Sequence, residues 1–198
     1  WKVTEIEVEK KVIYVEATKG GQPPQFSGGG MSVHDVVRQE MLAIYRENDY
    51  RIAIGSKRVD YADATARSLF AEGCDNFKRY NLQNSHLISD GQRSYVLPWM
   101  GDKVVNTITA LLMRSSFKAS SFAGVIEIEH ASLSSVQHAL KEIQLSGLPS
   151  ESELAADVPE KYLDKYDDYL PESLLAKGYG AKAYDIEGAQ IWLQKNIL

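Results

Sequence analysis

Apolar and polar positions alternate with a two-residue period over residues 2–9 (KVTEIEVE) and 11–17 (KVIYVEA), the pattern of two strands. A register break at Thr4-Glu5 predicts a bulge. Only Glu9-Lys10 separates the runs, which predicts a hairpin. From Ser32 the period lengthens. Val33, Val37, Met41, Ile44 and Tyr45 share a helical face, Ser32 is the expected cap and Asp35 follows three residues on. His34 and Arg38 fall on another face and read as solvated. Ile52 and Ile54 suggest a short strand in the loop 48–58. Asp60, with Asp63 behind it, is the expected cap of a helix carried by Ala62, Ala66, Leu69, Phe70 and Phe77 to about Tyr80.

The next stretch organises the rest. Residues 81–98 read as a hairpin: His86-Leu87-Ile88, a Ser-Asp-Gly-Gln turn, then Ser94 to Leu97, stopped by Pro98. After a Pro-Trp-Met-Gly corner, Asp102 is the expected cap of a helix whose core face is Val104, Ile108, Leu111 and Leu112, with Asn106, Thr107 and Arg114 elsewhere on the wheel. Residues 121–130 (SFAGVIEIEH) alternate as one strand with a wet face. Ser132 or Ser134 opens a helix through Val136, Leu140 and Ile143 that Gly147 and Pro149 end. Tyr162, Tyr166, Tyr169 and Leu170 form a stripe that reads as packing surface, and Asp185 opens a last short helix holding Trp192 and Leu193. The expected class is α+β: an N-terminal β-hairpin, helical segments, a mixed sheet packed by helices, and a helical C-terminal tail. The divisions are residues 1–30, hairpin and Gly/Pro-rich arm; 31–150, core; and 151–198, an acidic helical segment. Residues 19–30 (KGGQPPQFSGGG) read either as a flexible link or as an arm anchored by Phe26.

The chain has 198 residues and a net charge of −5. Residues 1–150 carry 17 basic and 17 acidic side chains and residues 151–198 carry 5 and 10, so the acidic excess sits in the last quarter. One cysteine, Cys74, excludes an internal disulfide framework and suits a reducing, cytoplasmic setting. No apolar run approaches the roughly 20 residues of a membrane span. Trp1 opens directly inside a strand pattern, which reads as part of a longer polypeptide.

No catalytic or metal motif stands out. His34, His86, His130 and His138 lack zinc-site spacing, and Gly28-Gly29-Gly30 lacks the Lys-Ser/Thr of a phosphate loop. Basic side chains do gather. Arg46, Arg51, Lys57 and Arg58 bracket one loop, Lys78 and Arg79 precede Tyr80, and Arg93 sits by a hairpin turn. Cations beside aromatics suit phosphate contact and base stacking on a single strand, which makes these seven the candidate nucleic-acid residues.

The order of the pieces carries a resemblance. WKVTEIEVEKKVIYVEATKGGQPPQFSGGG resembles the strand–strand–"KGG-x-PP-x-F-x-G" segment that follows the motors of large helicase-related (Lhr-like) DEAD/DEAH-box helicases. VHDVVRQEML resembles the helix after it, and VLPWMGDKVVNTITALLM the family's "PW-x-G-x-x-V-x-x-T" block. KYDDYLPESLLAKGYGAKAYDIEGAQIWL resembles its "K-[FY]-D-x-x-LP-x-x-LL … D-x-x-GA" ending. The resemblance implies a non-catalytic accessory domain of a bacterial-type superfamily 2 helicase. Such a domain packs on motor domains of the same chain, which bind ATP and Mg²⁺, and guides DNA or RNA. No ATPase motif has a counterpart in these residues. The alternative is a protein-interaction or regulatory domain that uses the acidic, Tyr-rich C-terminal segment.

Overall fold

The computed structural model describes residues 2–17 and 32–197. The chain divides into two compact units, the second beginning at Ser32. In the first, β1 (Lys2–Glu7) and β2 (Val12–Glu16) pair antiparallel, and their register shifts between Val3 and Glu5, where the broken alternation predicts it. Val3, Ile6 and Ile13 stay more than half exposed, so two strands alone build no core. The expected Gly/Pro-rich arm at 19–30 and its anchor Phe26 lie outside the described residues.

The second unit is built around α3 (Asp102–Arg114). A four-stranded sheet lies against it in the order β5 (Leu87–Ser89), β6 (Arg93–Val96), β8 (Val125–Glu129), β7 (Lys118–Phe122). The expected mixed sheet is antiparallel in every pair. The reason is connectivity. Tight turns join β5 to β6 and β7 to β8, and where α3 carries the chain from β6 to β7, β8 slots between those two strands. Residues 121–130 are therefore the end of one strand, a turn at Ala123-Gly124 and a second strand.

The inner sheet face presents Val96, Ile126 and Ile128, all fully buried, to Val104, Val105, Ile108, Leu111 and Leu112 of α3. α4 (Leu133–Ser146), α5 (Glu151–Ala156), α6 (Glu172–Ala183) and α7 (Ile186–Asn196) complete the shell and share the core through Val136, Leu140, Leu154, Ala176, Ala189 and Leu193. Two buried polar side chains find partners across the fold. Ser94 Oγ donates to Ala131 O at 2.7 Å, and Trp192 Nε1 donates to Pro98 O at 2.9 Å. Thr107, expected off the core face, is fully buried; its hydroxyl donates to Lys103 O and accepts the Asp185 N–H, joining α3 to the start of α7.

Several caps follow the sequence: Ser132 Oγ takes the Ser135 N–H, Asp185 Oδ1 takes the Gly188 N–H, and Gly147 ends α4 at φ +79°. Ser150 and Glu153 add a full capping box ahead of α5. Three expectations fail, and two of them share a cause. α1 (Asp35–Glu47) is capped by His34 Nδ1, which accepts the Val36 N–H, instead of by Ser32. Gly101, not Asp102, holds the cap position of α3. The two helix starts clasp each other instead. Gly101 N–H donates to Asp35 Oδ1 at 2.6 Å, Val33 N–H to Asp102 Oδ2 at 2.7 Å, and Asp102 N–H to Val33 O at 2.9 Å. Each carboxylate thus serves the neighbouring helix, and Arg38, expected in solvent, is largely buried and reaches Asp102 Oδ1 at 3.5 Å. The third correction is local: Asp63 caps α2 (Ala64–Arg79), while Asp60 accepts the Ala62 N–H and the Tyr50 hydroxyl.

Candidate nucleic-acid interface

α1 and α2 meet through aromatic rings outside the main core. Tyr45 stacks on Phe70 and Phe77 with centroids 5.9 and 5.6 Å apart, and the Trp99 ring packs against Tyr45 and Phe77 at 6.1 and 6.0 Å. Gly73 lets Tyr45 approach, since a Cβ there would sit 3.0 Å from the ring. This cluster fixes the end of α1, and with it the first group of basic side chains.

Arg46, in the last turn of α1, donates to Gln83 O at 3.4 Å, which sets the end of α1 against the loop leaving α2. The hairpin of β3 (Ile52–Ile54) and β4 (Lys57–Val59) follows at once, as Ile52 and Ile54 suggest. Arg51 and Arg58 are both engaged by one carboxylate. Arg51 Nε and Nη2 fork onto Asp49 Oδ1 and Oδ2 at 2.9 Å each, and Arg58 bonds Asp49 Oδ2 and lies 3.7 Å from Glu47. The Arg51 guanidinium, with its backbone N–H, holds the Asp49 carboxyl far below the ordinary range, and the pair raises Arg51 in turn. Asp49 is the residue that sequence reading missed here. Lys57 projects from β4 with no carboxylate partner among the described residues.

Lys78 and Arg79 occupy the last turn of α2, and the Arg79 guanidinium lies 5.7 Å from the centroid of the Tyr80 ring. Arg46 and the 80–83 loop connect these two basic groups. Arg93 stands apart from both, on the outer sheet face, where it pairs with Glu127 across the strands at 3.1 Å; that pairing raises its pKa. Beside it, Lys118 pairs with Glu129 at 2.5 Å and lowers that carboxyl. Of the seven predicted residues, Arg51, Arg58 and Arg93 are held by carboxylates, while Arg46, Lys57, Lys78 and Arg79 have no acidic partner among the described residues.

Cys74 is buried in α2, and desolvation pushes its thiol up. Among the described residues no group of three or more His, Cys, Asp or Glu side chains could hold a metal, and no helix is long and apolar enough to cross a membrane. The C-terminal tyrosine stripe, expected to pack, does not. Tyr166 and Tyr169 are 67% and 83% exposed around the short 3-10 turn Asp167–Tyr169, because the segment forms no helix with a face to bury. No family model, no curated protein and no solved structure matches this chain.

Proposed function

We propose that this chain is a non-hydrolytic accessory domain of a cytoplasmic, superfamily 2 ATP-dependent helicase. It packs on motor domains of the same polypeptide, which bind ATP and Mg²⁺, and guides a DNA or RNA strand. The ordered Lhr-like motifs suggest the family. The observation that carries the nucleic-acid half is the placement of Arg46, Lys78 and Arg79 at the joined ends of α1 and α2, with Tyr80 beside them and Lys57 on the hairpin that follows α1. Unpaired cations next to an exposed ring supply phosphate attraction and a stacking surface together. Arg51, Arg58 and Arg93 contribute less, because a phosphate must first displace a carboxylate from each.

Fluorescence anisotropy with single-stranded DNA across a salt series tests this. Affinity falls with salt at a log–log slope of roughly −0.7 per phosphate neutralised, and Lys57→Glu with Lys78→Glu flattens the slope. Absence of binding at low salt rejects the reading. A second reading has its own observation: the exposed Tyr166 and Tyr169 among Asp164, Asp167 and Asp168 suit a basic protein partner. A pull-down that loses its partner when Tyr166 and Tyr169 are both changed to Ser favours that alternative.

A further inference from the structure

Strand alternation turns Ser94, Val96, Ile126 and Ile128 inward and leaves Ile88, Tyr95 and Val125 on the outer sheet face. With Tyr80 and Leu97 these line a cavity of about 430 Å³, and Asp90 stands at its rim. One wall is fixed before anything enters it. Tyr95 Oη donates to Asp90 Oδ2 at 2.9 Å, while Asp90 Oδ1 accepts the backbone N–H groups of Gln92 and Arg93 at 2.9 and 2.8 Å. The other wall, Tyr80, is 45% exposed and carries the Arg79 guanidinium alongside its ring. The cleft therefore combines an apolar floor, two aromatic rings, a carboxylate oxygen with a lone pair to spare, and one cation, Arg79, held beside the Tyr80 ring.

We infer that the cleft between Tyr80 and Tyr95 seats one unstacked base of a single-stranded nucleic acid. The rings receive the base faces, Asp90 accepts an exocyclic amino or ring N–H, and Arg79 meets an adjoining phosphate. Charge complementarity selects this occupant over an apolar peptide segment, which needs the floor but not the Arg79 cation beside it. The inference rests on the nucleic-acid reading above and deepens it, because phosphate contacts alone require no base slot.

The test uses the 198-residue chain and a 12-nucleotide (dT) strand at low salt, read by anisotropy, beside the same strand with abasic sites. Tyr80→Ala is expected to weaken (dT)12 binding about 5- to 150-fold, the range of one lost base stack. Tyr80→Phe stays near wild type, and on the abasic strand wild type and Tyr80→Ala bind alike. A 2-aminopurine placed in the strand reports stacking on the wild-type protein directly, as quenching, whatever the variants' stability. Equal (dT)12 affinity for wild type and Tyr80→Ala, or binding without quenching, overturns the base slot and leaves the backbone interface standing. Failure of the wild type to bind either strand overturns the proposed function and this inference together.

Discussion

Replacing Gly101 by Ala probes the clasp between the starts of α1 and α3. Its backbone, at φ −66° and ψ 168°, suits any residue, so alanine meets no torsional penalty. The obstacle is space. A Cβ at Gly101 would stand 2.6 Å from Val33 O, 2.7 Å from Asp35 N and 3.0 Å from His34 C, all backbone atoms that move only if α1 moves. Shifting α1 stretches the 2.6 Å bond from Gly101 N–H to Asp35 and the 2.7 Å bond from Val33 N–H to Asp102. Overpacking and one weakened charge-assisted bond, less the smaller entropy of the unfolded alanine chain, give a net loss of about 3 kcal/mol. For a unit of this size that lowers Tm by about 6–12 °C, read by circular dichroism with a urea melt alongside. Gly178→Ala is the control: Gly178 lies inside α6 with nothing within 4 Å of an added Cβ, so alanine is expected to stabilise by about 0.5–1 kcal/mol. An unchanged or raised Tm for Gly101→Ala refutes the clasp geometry.

Trp192→Phe removes the donor to Pro98 O inside the core and leaves a buried carbonyl unpaired beside a small void, at a cost of about 2–4 kcal/mol. A denaturant midpoint equal to wild type contradicts that bond. Trp99→Ala, at a half-buried ring packed on Tyr45 and Phe77, costs about 2–3 kcal/mol, checked by the same melt. The acid side of the stability profile follows from Asp49, Asp90 and Asp167, whose carboxyls all lie below the ordinary range. For Asp49 the first cause is the Arg51 side chain, for Asp90 the Arg93 backbone N–H, and for Asp167 the Leu163 backbone N–H. A depressed folded pKa means stability that is complete above the unfolded value of about 4 and is lost as pH falls through the folded one. Urea midpoints therefore hold from pH 7 to about 4 and decline below, and carbon NMR titration places the Asp90 carboxyl below a free aspartate. A midpoint that rises on acidification contradicts these bonds.

Much of the architecture was legible because local chemistry decides it. The broken alternation marks the β1–β2 bulge, and the spacing of Val104, Ile108, Leu111 and Leu112 marks the buried face of α3. Ser132 and Asp185 cap the helices they precede. What failed was decided across the fold. Ser32 and Asp102 read as caps, but Asp35 and Asp102, 67 positions apart, instead serve each other's helix. Thr107 reads as a surface residue until Asp185 supplies a partner 78 positions away. β7 escapes notice because KASSF offers only Ala119 as an apolar side chain on its inward face and so shows no apolar alternation. Among the candidate cations, spacing could not reveal that Asp49 occupies Arg51 and Arg58, that Arg93 stands apart on the sheet, or that Tyr80 and Tyr95 line one cleft.

Chemical-shift mapping of the isotope-labelled chain on adding (dT)12 puts the central claim to its most direct test. The account predicts that the largest amide changes fall at Arg46, Lys57, Lys78 to Tyr80 and Tyr95, and fade as salt is raised. Changes confined to α5–α7 and the exposed tyrosines at 166 and 169, or no changes at low salt, contradict it.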